Sequence, residues 1–151
     1  MLDVLIKRAR VVDGSGAAAY EADIAVQEGR IADIGDVERA EAKEVIDARG
    51  LVAASGFIDM HSHSDYTLPL NRRAESKIRQ GVTTEVIGMC GSSPAPLTEW
   101  RREEIRRQAK GYRAQLGWDW LTFGEYLDVL RSGKLSVNVV PLVGHGTIRI
   151  A

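Results

Sequence analysis

Short runs of apolar residues, separated by turn residues, characterise the first third of the chain. One run rich in Val covers residues 2–12, and a second run, rich in Ile, covers residues 23–34. Within the second run, apolar positions flank Glu28 and Gly29, a pair typical of the link between two antiparallel strands. Short strands at regular spacing are typical of an all-β structure. We therefore predict that residues 1–55 form a small β layer.

The pattern changes after Gly56, where strand-like runs alternate with helix-like stretches. This alternation is typical of parallel β/α units, so we predict an α/β fold for residues 56–151. Its strands are predicted at 57–61, 82–88 and 137–143. Each of these strands leads into a loop of polar or glycine residues.

Three helices are predicted between these strands. A short one covers residues 74–80 and stops at Gly81, a residue type that favours helix ends. The second is amphipathic, because four apolar residues recur at helical spacing between charged ones: Ile105, Ala109, Tyr112 and Leu116. The third begins after Thr122, which forms a capping-box pattern with Glu125, and ends at Gly133.

Charge and cysteine content narrow the function classes. The 151 residues include 20 Lys and Arg against 21 Asp and Glu, a net charge of -1. No bulk positive field is present to attract nucleic acid or an anionic membrane, so neither is an expected partner. The single cysteine, Cys90, cannot form an internal disulfide, and the start of the chain lacks the pattern of a signal peptide. A cytoplasmic protein is expected.

His61 and His63 are the clearest candidates for chemistry. Residues two apart on an extended segment point to the same side, so the two imidazoles are able to face one point. Imidazole is the commonest metal ligand, and a zinc site needs three or four such donors. The pair therefore indicates a metal site, with two unrelated loop histidines as the alternative.

The segment Gly-Phe-Ile-Asp-Met-His-Ser-His at 56–63, preceded by a β layer, resembles the metal-dependent amidohydrolase superfamily. The resemblance implies a small N-terminal β-sandwich followed by a (β/α)8 TIM barrel whose first strand carries the two histidines. The segment 89–96 is similar to the N-acyl-D-amino-acid deacylases (D-aminoacylases) of that superfamily. This second resemblance implies that the thiolate of Cys90 joins His61 and His63 as ligands of Zn2+.

Two further residues are candidates for supporting roles. His145 lies in a Val-Gly-His-Gly-Thr segment that also matches the deacylases, which implies a residue that faces the substrate or supports a ligand. Its alternative is a hydrogen-bonded structural histidine. Asp59 lies two residues before His61 and is predicted to orient a ligand imidazole. Its alternative is a strand-end carboxylate bonded to local backbone.

The deacylase resemblance implies zinc-dependent hydrolysis of an N-acyl-D-amino acid to a carboxylate and a D-amino acid. A (β/α)8 barrel takes about 250 residues, so residues 56–151 are expected to supply only its first three β/α units. We therefore expect the N-terminal portion of a longer enzyme, inactive and prone to association by itself, with the general-base aspartate beyond residue 151. The alternatives are a cyclic-amide hydrolase of the dihydropyrimidinase kind and a non-catalytic metal-binding or partner-binding module.

Overall fold

The computed structural model describes residues 1–37 and 41–151. The chain divides into two compact units, residues 1–55 and residues 56–151. The longest helix has ten residues, and no helix in the described part of the chain is long and apolar enough to cross a membrane.

The first unit is one sheet of five strands, which are β1 (Leu2–Val12), β2 (Tyr20–Gln27), β3 (Arg30–Gly35), β4 (Ala42–Asp47) and β5 (Val52–Ala54). Their order is β3-β2-β1-β4, and β5 also pairs with β1. Strands β1, β2 and β3 are antiparallel, whereas β4 and β5 run parallel to β1 and follow one another along its edge. The hairpin predicted at Glu28 and Gly29 is confirmed, and both residues adopt positive φ angles there.

A bulge in β1 bends the centre of this sheet. One extra residue lies between Ile6 and Ala9, at Arg8, whose φ is 58°. The backbone amide of Arg8 donates a hydrogen bond of 2.8 Å to the carboxylate of Asp23. The core of the unit is formed by Ala9, Val11, Ile24 and Ala48. The described residues of this unit form a single sheet, so the β layer is present, whereas a second sheet facing it is not among them.

The second unit has three strands, which are β6 (Phe57–Asp59), β7 (Val82–Ile87) and β8 (Asn138–Pro141). They are parallel, lie in the order β6-β7-β8 and are joined by helical segments. Its helices are α1 (Glu75–Ile78), α2 (Glu99–Gln108), α3 (Phe123–Arg131) and α4 (His145–Ile150). The predicted alternation of strand and helix is therefore present. That these units belong to a barrel stays a prediction.

The core of the second unit is built around aromatic residues. Tyr126 on α3 is fully buried, and Trp118 and Trp120 are almost so. The Tyr126 hydroxyl donates to the carbonyl of Asp65 at 2.8 Å, and the indole of Trp120 donates to the carbonyl of Pro94 at 2.9 Å. Because these two carbonyls lie in the loops after β6 and β7, the core fixes both loops from one side.

The prediction that one helix continues to Leu116 is wrong for the second half of that segment. Helix α2 ends at Gln108, Ala109 is extended with φ −61° and ψ 130°, and residues 111–115 form a 3-10 turn. Gly111 adopts a φ of 60°, which interrupts helical geometry. Leu116 still reaches the core, but it does so after this turn rather than from the face of one helix.

The capping box predicted for α3 is confirmed. The Thr122 hydroxyl accepts a hydrogen bond from the amide of Glu125 at 3.2 Å, and the Glu125 carboxylate accepts one from the amide of Thr122 at 2.8 Å. The bond from the Thr122 amide, together with one from the Leu121 amide, lowers the pKa of the Glu125 carboxyl, because both bonds favour its charged form. The start of α3 is thereby fixed by local sequence alone.

Replacing Thr122 by Ala is expected to lower the free energy of unfolding by about 1 kcal/mol, since it removes the acceptor at the helix start. Thr122→Ser is the matched control, because it keeps the hydroxyl. Urea denaturation followed by circular dichroism measures both. Equal stability of the Ala and Ser variants would show that the cap contributes nothing.

Candidate metal centre

Three side chains from the loops after β6 and β7 meet at one point. The Nε2 atom of His61 lies 3.1 Å from the Sγ atom of Cys90. The donor atoms of His61, His63 and Cys90 all lie within 4.8 Å of one another, and all three residues are exposed. Donors that share one zinc ion lie within about 4.4 Å of each other, given bonds of about 2.1–2.3 Å. The spacing is therefore close to that of a single-ion site.

The loop after β6 begins earlier than predicted. The strand ends at Asp59 rather than at residue 61, so both histidines lie on a loop and not on an extended strand. The amide of Ser62 donates to the carbonyl of Val86 at 3.0 Å, which keeps this loop against β7. The two imidazoles still lie close together, with ring centroids 5.3 Å apart and ring planes tilted by 60°.

A sharp turn places Cys90 beside His61. Cys90 has a φ of 54°, and the neighbouring Gly88 and Gly91 also have positive φ angles. A side chain at Gly88 would meet the carbonyl oxygen of Leu142 at 2.0 Å, so only glycine fits there. The left-handed conformation costs a non-glycine residue about 1–2 kcal/mol. The contacts of the surrounding turn must offset this cost at Cys90.

A set of hydrogen bonds, which we call the loop clasp, holds the Cys90 loop to the start of α4 and to Gly144, the residue before that helix. The Ser93 amide donates to the Thr147 hydroxyl at 2.8 Å, and the Ser93 hydroxyl accepts from the Gly144 amide at 3.0 Å. The Thr147 amide donates to the Gly91 carbonyl at 3.2 Å. The sequence predicted no role for Ser93 or Thr147. The signal for the clasp was the glycine on each side of residue 145, because both glycines pack closely against Gly91.

The two predicted supporting residues lie outside the three-donor cluster. His145 is the first residue of α4 and is exposed; its role toward substrate stays a prediction. Asp59 does not hydrogen-bond to an imidazole. Its carboxylate accepts from the His61 backbone amide at 3.1 Å and pairs with Lys77, whose hydrogen bond lowers the pKa of Asp59. The structure therefore supports the alternative role, in which Asp59 binds local backbone.

Two buried carboxylates near the site were not predicted. Asp65 accepts a hydrogen bond of 2.7 Å from the Gly88 amide, and burial raises the pKa of its carboxyl. Glu85 is fully buried and accepts hydrogen bonds from two serine hydroxyls of the histidine loop. The only signal in the sequence was a charged residue in the centre of the otherwise uncharged strand β7.

Comparison with known proteins assigns the chain to a family. A model of the amidohydrolase family matches residues 44–148. The chain belongs to the amidohydrolase family. An N-acyl-D-aspartate deacylase of Alcaligenes xylosoxydans xylosoxydans is 42% identical to this amidohydrolase over 153 residues, which cover 99% of this chain and 29% of that protein. The predicted resemblance to the N-acyl-D-amino-acid deacylases is thus confirmed.

Two solved amidohydrolase structures are similar to the chain. A D-aminoacylase, studied for its binuclear metal centre, has a TM-score of 0.85 and 37% identity; the match covers 100% of this chain and 31% of that one. An N-acyl-D-glutamate deacylase from Bordetella bronchiseptica, in complex with zinc and a phosphonate inhibitor, has a TM-score of 0.84 and 33% identity over 99% of this chain and 31% of that one. The chain spans about a third of the length of these relatives.

The side chains present in this amidohydrolase fit a zinc ion. Two imidazoles and one thiolate are a donor set that zinc prefers. The exposure of all three donors leaves room for another ligand, which is typical of catalytic rather than structural zinc sites. Among the described residues, no other group of three His, Cys, Asp or Glu donors is so close.

Replacing Cys90 by Ser is expected to lower zinc content and to abolish the sulfur-to-metal charge-transfer band of the cobalt-loaded chain, since it removes the thiolate. Metal analysis and absorption spectroscopy measure these effects. His145→Ala is the control and is expected to keep the band, because His145 is not part of the cluster. Unchanged zinc content in Cys90→Ser would contradict the assignment.

Replacing Gly144 by Ala is expected to lower the free energy of unfolding by about 1–3 kcal/mol, because the new methyl overpacks the clasp. Its Cβ would lie 2.6 Å from the backbone of Gly91. Gly124→Ala is the control, since its Cβ meets nothing closer than 3.9 Å, and we expect a gain of about 0.5–1 kcal/mol within α3. Thermal or urea unfolding measures the stability of both variants. Equal free energies of unfolding for Gly144→Ala and Gly124→Ala would exclude a tightly packed loop clasp.

Proposed function

We propose that the chain is part of a zinc-dependent hydrolase that cleaves the amide bond of N-acyl-D-amino acids, giving a carboxylate and a D-amino acid. The observation that supports it most is the cluster of His61, His63 and Cys90 at the ends of two parallel strands. Ligands in α/β sheets bind at such strand ends. The relatives with the same part of the fold are named for deacylation of D-amino acids.

Each residue of the cluster has a defined part in this proposal. His61 and His63 supply neutral imidazole nitrogens, and Cys90 supplies a thiolate that the metal keeps deprotonated. Zinc, when bound, supplies a lowered pKa for water and polarisation of an acyl carbonyl. The exposure of the three donors gives a small substrate access to the site. The described residues offer no assigned general base, which we place elsewhere in the whole enzyme.

The donor set favours this function over the two alternatives. A cyclic-amide hydrolase of the dihydropyrimidinase kind is expected to use a lysine where this chain has Cys90. The nearby Lys77 is already paired with Asp59. A purely structural metal site is expected to have four protein ligands and no open position. The cluster found among the described residues has three donors, and all of them are exposed.

The remaining parts of the proposal concern the whole enzyme. We propose that β6, β7 and β8 are the first three strands of a (β/α)8 barrel, which needs about 250 residues. The first unit then corresponds to part of the N-terminal β-sandwich. We also propose a cytoplasmic location, which the single cysteine supports because it cannot form an internal disulfide.

A chimera tests the activity. Residues 1–151 would replace the matching segment of the Alcaligenes N-acyl-D-aspartate deacylase, to which they are 42% identical. With zinc, the chimera is expected to hydrolyse N-acyl-D-aspartate. Its His61→Ala and Cys90→Ala variants are expected to lose more than about 100-fold in activity, since even residues that only support ligands contribute about 10–100-fold.

The isolated chain is the companion control and is expected to bind zinc without appreciable turnover. A folded chimera without deacylase activity, or one that keeps its activity in both ligand variants, would contradict the proposed function. Robust turnover by the isolated chain would contradict the claim that other parts of the enzyme are required.

A further inference from the structure

A buried carboxylate lies behind the histidine loop. Glu85, in the centre of β7, has no exposed surface. Its Oε2 atom accepts hydrogen bonds from the Ser62 hydroxyl at 2.5 Å and from the Ser64 hydroxyl at 2.6 Å. These serines are the neighbours of His63 on both sides in the sequence. One carboxylate oxygen therefore binds the side chains immediately before and after a donor residue.

A lysine extends this network to the other histidine. The ammonium group of Lys77 on α1 pairs with the Oδ2 atom of Asp59 and lies 3.6 Å from the Oε2 atom of Glu85. The other oxygen of Asp59 accepts the hydrogen bond from the backbone amide of His61. The network thus joins α1, the end of β6 and the centre of β7. It contacts the backbone amide of His61 and the side chains on both sides of His63.

Stability does not account for a charge at this position. Burial of a carboxylate has a large desolvation cost, and buried ion pairs often add no more stability than apolar residues of similar size. The Oε1 atom of Glu85 has no hydrogen-bond partner among the described residues. An apolar residue would fill the strand at lower cost but would lose the contacts to Ser62, Ser64 and Lys77 that the carboxylate makes.

We infer that Glu85 and Lys77 are positioning residues for the metal donors, acting through Ser62 and Ser64 on His63 and through Asp59 on His61. The inference rests on the proposed function in one respect, namely that the two imidazoles bind a metal ion. Neither residue belongs to the cluster of His61, His63 and Cys90. They reduce the freedom of the loop, so less entropy is lost when the donors close on an ion.

Cobalt titration of the isolated chain tests the role of Glu85. Glu85→Ala is expected to weaken cobalt binding by about 10–100-fold, the usual effect of losing a group that orients a ligand. Glu85→Gln keeps an acceptor oxygen and is expected to recover a substantial part of that loss. Val137→Ala is the matched control, because Val137 is buried in the same unit without a described contact to the network. It is expected to lower stability and to leave the affinity unchanged; affinity lost equally in Glu85→Ala, Glu85→Gln and Val137→Ala would overturn the inference.

A mutant cycle separates positioning from a general structural effect. If Glu85 acts through the two serines, then the triple variant Ser62→Ala, Ser64→Ala, Glu85→Ala binds cobalt no more weakly than Glu85→Ala alone. Groups that share one network are non-additive in this way. If the loss of cobalt affinity in the triple variant equals the sum of the losses in Glu85→Ala and in the double variant Ser62→Ala, Ser64→Ala, the role of the two serines is overturned.

The imidazole resonances of the metal-free chain give a readout that does not depend on metal binding. In the unmodified chain, His61 and His63 are expected to give one sharp set of ring signals, and in Glu85→Ala these are expected to broaden or divide. Equal line widths in the two proteins would overturn the positioning role. Sharp, Glu85-dependent signals in a chain that binds no cobalt would instead leave the positioning role standing and contradict the proposed metal centre.

Discussion

Strands β6 and β7 run parallel with Asp59 opposite Glu85, and their carboxyl ends therefore reach the same edge of the sheet. This pairing brings together two residues that are 29 positions apart in sequence. The Nε2 atom of His61 lies 3.1 Å from the Sγ atom of Cys90. Within the described loops, the Asp65 carboxylate adds a direct bond to the Gly88 amide at the start of the Cys90 turn. Without this parallel register, the donors would have no common point.

The aromatic core of the second unit also holds the two loops that carry the donor residues. Helix α3 carries Tyr126, whose hydroxyl binds the loop after β6, and it packs against Trp120, whose indole binds the loop after β7. From helix α4, Thr147 binds the Cys90 loop through the loop clasp. Rigid elements thus hold each donor-bearing loop at more than one point, which is what a preorganised metal site requires.

Local signals explain which features were predictable. The capping box of Thr122 and the turn at Glu28 depend on residues within a few positions, and both are as predicted. The donor residues were predicted from two short segments, although β6 ends before His61 because the loop bonds to β7 instead of extending the strand. Helix α2 ends early because the backbone turns extended at Ala109, two residues before Gly111 with its positive φ, and the helical periodicity revealed neither.

Long-range contacts explain what was missed. Glu85 acquires its partners from a loop more than 20 residues earlier in the chain, and Ser93 acquires its partner from a loop more than 50 residues later. Neither pairing leaves a periodic pattern in the sequence. A charged residue inside a strand, or a glycine pair beside a histidine, signals only that some close contact is required and does not identify the partner.

X-ray absorption at the zinc edge of the zinc-loaded protein measures directly whether one ion is bound by two imidazoles and one thiolate. We expect one sulfur at about 2.3 Å together with imidazole nitrogens at about 2.0–2.1 Å. A shell of nitrogen and oxygen atoms without sulfur would contradict it.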